Sequence, residues 1–248
     1  MLLNPPNRLP GAINRNGLRN ARRGVPADPL ADLYGTGMGQ MPMLLDPLDA
    51  VMSDANVVSV PNRGGAGPAF NATVAAGTMT RTGGLLDVPT AAVRLDLATP
   101  ADLRGVRTFM VVALAAGADP FSRLLGHLSP ANLIRVNSST GQLLLQRAGT
   151  TLFLTAPATP PGTALRLWEV EIANGRAKSW MDGVLAGDGP CTFTDFQASM
   201  IFAAFDSNGF TGQAGTIASV VTDGTPAREP VMLRVRQTLA ARHGIAAA

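Results

Sequence analysis

Two glutamates, Glu169 and Glu171, are spaced so that they could form a catalytic pair. They alternate with apolar residues in a predicted β-strand, so both lie on one strand face with Cα atoms about 7 Å apart. Retaining glycosidases instead place two carboxyl groups about 5–5.5 Å apart on either side of the sugar bond. No further acid follows at the turn, where Gly175 stands. We therefore expect the pair to lie on a solvated strand face, and we assign no catalytic residue.

Residues for nucleophilic or metal chemistry are also scarce. The chain has two histidines, His127 and His243, and one cysteine, Cys191. A Ser-His-Asp triad needs a positioned histidine, and no G-x-S-x-G motif accompanies either one. A single cysteine excludes an intramolecular disulfide and a cysteine-based zinc cluster. The sequence therefore predicts a protein that is not an enzyme and has no resident cofactor.

Trp180 is the best candidate for binding a glycan. The strand alternation places it opposite the core-facing Met181, on the same face as Lys178 and Arg176. An exposed indole can stack on a sugar ring, and basic neighbours can donate hydrogen bonds to hydroxyl groups. The alternative interpretation is that another layer of protein covers Trp180.

Short apolar stretches separated by turn residues predict a mainly β, antiparallel sandwich from about residue 44. With 46% hydrophobic and only 15% charged residues, the 248-residue chain can bury a large core. Asn174-Gly175 is a strong hairpin signal between the strands predicted over 167–173 and 176–181. Other strands are predicted over 107–114, 133–136, 143–147, 151–155, 199–205 and 216–222.

The stretch 228–243 predicts one amphipathic helix that closes the sandwich. Met232, Val235 and Leu239 recur at helical spacing, and Pro230 falls in the first turn, where a missing N–H costs little. His243 falls in the last turn, where a positive charge interacts favourably with the helix dipole. The apolar stripe is expected to face the core.

Residues 1–43 predict an extended N-terminal arm that is ordered only by a partner. Six prolines remove backbone donors and no apolar period survives, yet many apolar residues remain. The apolar residues favour an anchoring arm, which buries these side chains against another subunit. A solvating leader would not need them. The prolines are Pro5, Pro6, Pro10, Pro26, Pro29 and Pro42.

The basic charge is concentrated in this arm. The chain has 20 basic and 17 acidic residues, and five arginines precede Val25 with no acid among them. Dispersed arginines interrupted by proline and glycine are a weak nucleic-acid signal, so docking on a protein is favoured. The opening residues do not predict a signal peptide, and no apolar stretch predicts a membrane-spanning helix.

Several motifs resemble those of one fold family. The Trp168-Glu169-Val170 strand, its turn and the Met181-Asp182-Gly183 turn resemble the W-x-V and Asp/Asn-Gly hairpin of concanavalin A-like (laminin G-like) jelly-roll domains. The stretch 210–221 resembles their G-x-I-x-x-V strand. The stretches 239–245 and 45–50 resemble the closing and opening segments of versions carried by tailed-phage and gene-transfer-agent particles. The resemblance implies a concanavalin A-like sandwich with a C-terminal helix over 44–248.

Laminin G-like domains sometimes bind calcium at the sheet rim through Asp and Asn oxygens. The resemblance therefore makes Asp206 and Asn208, in a polar loop, weak calcium candidates, with Asp182 at another turn. Ordinary turn chemistry explains the same residues without a metal.

The resemblance and the arm together predict a non-enzymatic virion structural protein of a tailed phage or phage-like particle. In this hypothesis the arm docks on neighbouring virion proteins, the sandwich decorates the surface, and the protein forms a homo-oligomer located in the virion. The alternative is a carbohydrate-binding adhesin that attaches to host surface glycans. A polysaccharide-cleaving enzyme is disfavoured because the carboxylate pattern fails.

Overall fold

The computed structural model of the chain describes residues 41–116, 121–128, 131–202, 209–222 and 229–248. Most of the predicted arm, residues 1–40, therefore lies outside the described residues. Met41 and Met43 are 6% and 1% exposed. Both belong to the folded body, which thus includes residues that were predicted to belong to the arm.

One sheet, here called the helix-side sheet, carries the predicted Asn-Gly hairpin. Its strand order is β15–β14–β13–β8–β17, and β1 and β6 both pair along the other edge of β17. The strands are β1 (Met43–Leu45), β6 (Leu85–Val88), β8 (Val106–Leu114), β13 (Arg166–Ala173), β14 (Arg176–Met181), β15 (Val184–Pro190) and β17 (Gly212–Val221).

The second sheet, here called the far sheet, has the order β12–β11–β10–β9–β16–β7–β4–β3–β2. The strand β5 (Thr80–Thr82) pairs with β6 and bridges to β3, so it links the two sheets. The strands are β2 (Val51–Ser53), β3 (Asn56–Val60), β4 (Ala72–Ala76), β7 (Arg94–Asp102), β9 (Phe121–His127), β10 (Asn132–Asn137), β11 (Leu143–Arg147), β12 (Thr150–Phe153) and β16 (Gln197–Ile201).

All of these ladders are antiparallel, and the two sheets enclose one hydrophobic core. Trp168, Val170 and Ile172 point into this core, as the alternation predicted. The architecture is therefore the predicted mainly β jelly-roll sandwich. The strand predicted over 199–205 begins at Gln197 and ends at Ile201, because Phe202, with a φ of 65°, leaves the extended conformation; residues 203–205 lie outside the described residues.

Two tight turns determine the register around β14. Asn174 and Gly175 have φ values of 52° and 71°, and Asp182 and Gly183 have values of 52° and 85°. Two successive positive φ values define the hairpin turn that matches the twist of paired strands. A Cβ atom on Gly183 would also lie 2.4 Å from the carbonyl oxygen of Ala248, so only glycine fits there.

The predicted helix forms as α1 (Glu229–Arg242) and adds a third layer. Met232, Val235 and Leu239 are buried in a second hydrophobic cluster with Phe109 and Val111. Those two residues lie on the face of β8 that points away from the sandwich core. The apolar stripe therefore packs on the outside of the helix-side sheet. Among the described residues, no helix combines the length and apolar character needed to cross a lipid bilayer.

Candidate functional site

The glutamate pair lies under the helix, so the prediction of a solvated strand face is wrong. Glu169 is fully buried and the side chain of Glu171 is 14% exposed. Both point away from the core, as predicted, but α1 lies over that face. The alternation identified the face correctly, but it carried no information about a third layer.

Two arginines neutralise these carboxylates in a helix-side charge cluster of Arg107, Glu169, Glu171, Glu229 and Arg236. Arg236, on α1, donates to Glu169 with Nη2 at 3.1 Å from Oε2. Arg107 Nε donates to Glu171 at 2.9 Å, and its Nη1 lies 3.8 Å from Glu169. Burial raises the pKa of Glu169 even though Arg236 and Arg107 oppose the shift. The cluster attaches the helix to the sheet.

Trp180 is covered as well, which corrects the expectation of an exposed indole. It is 9% exposed, and the guanidinium carbon of Arg107 lies 4.2 Å from its ring centroid. Lys178 is half-buried and pairs in register with Glu171, whereas Arg176 is exposed and its Nε donates to Asp188 at 2.8 Å. Of the three predicted glycan-binding residues, Arg176 is the one that reaches a surface pocket.

Both histidines have protein partners. His127 ends β9, and its Nδ1 lies 2.7 Å from Oγ of Ser199. His243 follows α1, and its Nε2 lies 3.0 Å from Oγ1 of Thr216 and accepts the Thr216 N–H. Burial lowers the pKa of His243 to about 4, with a further contribution from Arg242. The imidazole is therefore neutral at pH 7, and the predicted cation–dipole role for His243 is wrong.

The depressed pKa of His243 predicts acid sensitivity. The unfolded chain takes up this proton near pH 6.5, whereas the folded protein takes it up only near pH 4. The contribution to the free energy of unfolding is therefore full above pH 6.5 and is lost as the pH falls to 4. Chemical denaturation between pH 6.5 and pH 4 should show that His243→Gln loses less of its free energy of unfolding than the wild type does. The glutamine amide can still accept a hydrogen bond from Thr216. Equal losses in wild type and variant would contradict the assignment.

The calcium candidates lie in two different places. Asp206 and Asn208 are outside the described residues, so calcium binding there stays a prediction. Asp182 already accepts the Leu167 N–H at 2.8 Å and pairs with Arg166 at 2.8 Å, so its carboxylate stabilises the turn. Within the described ranges, no group of three or more His, Cys, Asp or Glu residues could hold a metal ion.

The surface pocket at Arg176, here called the rim pocket, lies where β13 and β14 turn at one end of the sandwich. It has a volume of about 330 Å³, at the lower end of the ~300–1,000 Å³ typical of ligand sites. Backbone hydrogen bonds join its walls, from Gly105 N to Ile172 O and from Cys191 N to Gly175 O, each 2.8 Å long. The residues that line it include Arg104, Asn174, Arg176, Cys191, Thr192 and Phe193.

Ion pairs and one ring contact hold these side chains in place. Arg104 binds Asp102 at 2.7 Å, and its hydrogen bonds hold the pKa of Asp102 below the usual value although burial opposes the shift. The hydrogen bond from Arg176 likewise lowers the pKa of Asp188. Phe193 stacks on Phe196 with centroids 5.5 Å apart. Both arginines are thus positioned by carboxylates that remain ionised at neutral pH.

The rim pocket offers the groups that recognise a sugar. Guanidinium and amide groups donate hydrogen bonds to hydroxyl oxygens, and an aromatic ring packs against the apolar face of a pyranose or furanose. Burial raises the pKa of the Cys191 thiol, which is therefore no thiolate nucleophile at neutral pH. The sequence indicated Arg176 alone, because Arg104 and Phe193 come from distant segments that only the sheet packing brings together.

Two other cavities are larger, each about 470 Å³. One contains Asp87 and Gln213, whose side chains bind each other at 2.8 Å. The other is lined by apolar residues such as Pro157 and Leu185 and by the ion pair of Arg166 with Asp182. Neither has an aromatic ring among its lining residues, so the rim pocket is the better candidate for binding a sugar.

No protein family and no curated protein matches the chain by sequence. Solved structures do match. Domain 4 of an extracellular arabinanase from Geobacillus stearothermophilus, in complex with arabinotriose, aligns with a TM-score of 0.57 and 13% identity over 74% of this chain and 97% of that domain. A sialidase from Trypanosoma rangeli, in complex with sialic acid, has a TM-score of 0.57 and 9% identity over 82% of this chain.

The binding domain of botulinum neurotoxin serotype D is similar too, with a TM-score of 0.56 and 8% identity over 81% of this chain. The chain spans about half of that binding domain (52%) and a third of the sialidase (33%). At these identities the likeness shows the fold alone, a β-sandwich. The link to tailed-phage particles stays a prediction from the sequence motifs.

Proposed function

We propose that this protein is a non-catalytic carbohydrate-binding module whose rim pocket receives the glycan. The observation that carries the proposal is the convergence of Arg104, Asn174, Arg176 and Phe193 on one preformed surface pocket. Two donors held by carboxylates lose little conformational entropy on binding, and such preorganisation favours recognition of a polar ligand.

Two further considerations support a binding role. The arabinanase domain, which has a sandwich of the same fold, was solved with a trisaccharide. The carboxylates first considered for glycoside hydrolysis, Glu169 and Glu171, are paired with arginines beneath α1. Glu169 is fully buried beneath the helix and Glu171 is bound to Arg107, so the proposal assigns binding and no bond cleavage to this chain.

A binding measurement on arrayed plant and bacterial polysaccharides tests this function. The wild-type protein should bind at least one class, and Arg176→Ala should weaken that binding about tenfold or more, because a charge-assisted hydrogen bond contributes about 1.5–3 kcal/mol. Arg94→Ala is the matched control, since Arg94 is also an arginine paired with an aspartate, Asp96, and its half-buried side chain lies on the other sheet. Binding to no glycan, or equal binding by the two variants, would contradict the proposal.

The virion role, the homo-oligomer and the virion location stay predictions. They depend on the motif resemblances at 45–50 and 239–245 and on the arm, of which residues 1–40 lie outside the described residues. They are compatible with glycan binding, because a surface module of a particle could attach to host polysaccharide. Mass spectrometry of purified particles from a producing host would test the virion role and location by detecting the chain among the virion proteins.

A further inference from the structure

Part of the outward face of the far sheet is buried although it points away from the core. Ile134, Leu143 and Leu145 on β10 and β11 point into the core, so the alternating residues Leu133 and Leu144 point outward. Yet Leu133 and Leu144 are 1% and 0% exposed. They belong neither to the sandwich core nor to the cluster under α1 that the described residues form. Groups outside these two clusters therefore cover them.

The register extends this buried face into an apolar stripe. Met200, which is 7% exposed, stands opposite Gly126, which in turn stands opposite Leu133. Because Gly126 has no side chain, it leaves a groove between these two apolar side chains. Arg135 stands opposite both Leu144 and Arg123, which places two arginines along the stripe. We call this surface the far face.

We propose that residues 27–34 of the same chain dock on the far face. Their sequence, ADPLADLY, contains the only two acids before Met41, Asp28 and Asp32, together with Leu30, Leu33 and Tyr34. Apolar side chains interleaved with carboxylates are complementary to a stripe of Leu and Met residues flanked by arginines. The rest of the arm, with its five arginines, has the wrong charge for this surface.

The connection is long enough. Asp28 precedes Met41 by thirteen residues, which span up to about 43 Å when extended. Met41 is buried beneath α1 on the helix-side sheet. From Met41 the chain must pass around the edge of the sandwich. The path covers about 10 Å between the two sheets and about 5 Å for each strand that it crosses. The segment can therefore reach β16, β9 and β10 without unfolding the body.

Thiol labelling of Leu144→Cys in the full-length protein tests the proposal. The new thiol should react slowly, and adding Asp28→Lys and Asp32→Lys should raise the labelling rate several-fold. Reversing Arg19 and Arg22 to glutamate is the control with the same number of charge reversals in the same arm, and it should leave the rate unchanged. Labelling that is fast in the parent, or insensitive to the two lysines, would overturn the proposal.

Two further measurements keep the result decisive. If Leu144→Cys lowers stability, the paired variant Asp32→Cys with Arg135→Cys should still form an intrachain disulfide, whereas Arg19→Cys with Arg135→Cys should not. Protection of the thiol should be independent of protein concentration. Protection that appears only at high concentration, or an interchain disulfide, would show that a second copy supplies the segment and would overturn docking within one chain.

Discussion

Arg236→Met should destabilise the protein by about 3–5 kcal/mol at neutral pH, since removing one partner of a buried ion pair leaves the other uncompensated. Glu169 is fully buried, and Arg236 makes the closest contacts that it has with a cation. Methionine keeps most of the apolar volume of arginine, so the loss reports mainly on charge. Chemical denaturation of wild type and variant measures it.

Arg234→Met is the matched control for this variant. Arg234 is on the same helix, two residues away, and is exposed, so its replacement should cost less than about 1 kcal/mol. Adding Glu169→Gln to Arg236→Met should restore part of the stability, because the uncompensated charge is then gone. Equal effects of Arg234→Met and Arg236→Met would refute the structural role of the helix-side charge cluster.

The pH dependence of the same variant has a definite sign. Losing Arg236 raises the folded-state pKa of Glu169 further above its ordinary value, because burial then acts with less opposition. An acid whose pKa is raised on folding destabilises the protein as the pH rises above the unfolded value. The deficit of Arg236→Met relative to wild type should therefore be greatest at neutral pH and should shrink as the pH falls towards 4.5.

The second large effect is expected for Leu239→Ala, at about 2–5 kcal/mol, since Leu239 is fully buried between α1 and the sheet. Truncation leaves a cavity among Phe109, Val111 and Val235. Leu233→Ala removes the same atoms from the same helix at a position that is 42% exposed, so it should cost less than about 1 kcal/mol. Thermal or chemical unfolding compares the two, and a reversed order would contradict the three-layer fold.

Local signals in the sequence predicted much of the fold. Asn174-Gly175 and the alternation of Trp168, Val170 and Ile172 were sufficient for the hairpin and its core face, because both depend on neighbouring residues alone. The helix stripe was predicted for the same reason. Which surface the stripe would cover depends on contacts between distant segments, and this is why Glu169 and Trp180 were expected to be solvated and are instead buried.

In the candidate site, too, local sequence predicted one residue, whereas the others depend on contacts between distant segments. Arg176 could be selected as an exposed basic residue next to a turn, since the alternation of side chains along a strand determines its face. Arg104 and Phe193 could not, because 72 residues separate Arg104 from Arg176 and only the packing of β8 beside β13 brings them together. The partnership of Arg107 with Trp180 depended on the same strand pairing.

The central claim is that a glycan binds in the rim pocket. The most direct measurement is a two-dimensional NMR titration of the isotope-labelled, full-length protein with arabinotriose, sialic acid and the best ligand from the polysaccharide array. Saturable shifts concentrated on the backbone amides of Arg104, Asn174, Arg176, Thr192 and Phe193 are the predicted result. Shifts centred on Asp87 and Gln213, or no saturable shifts with any of these ligands, would contradict it.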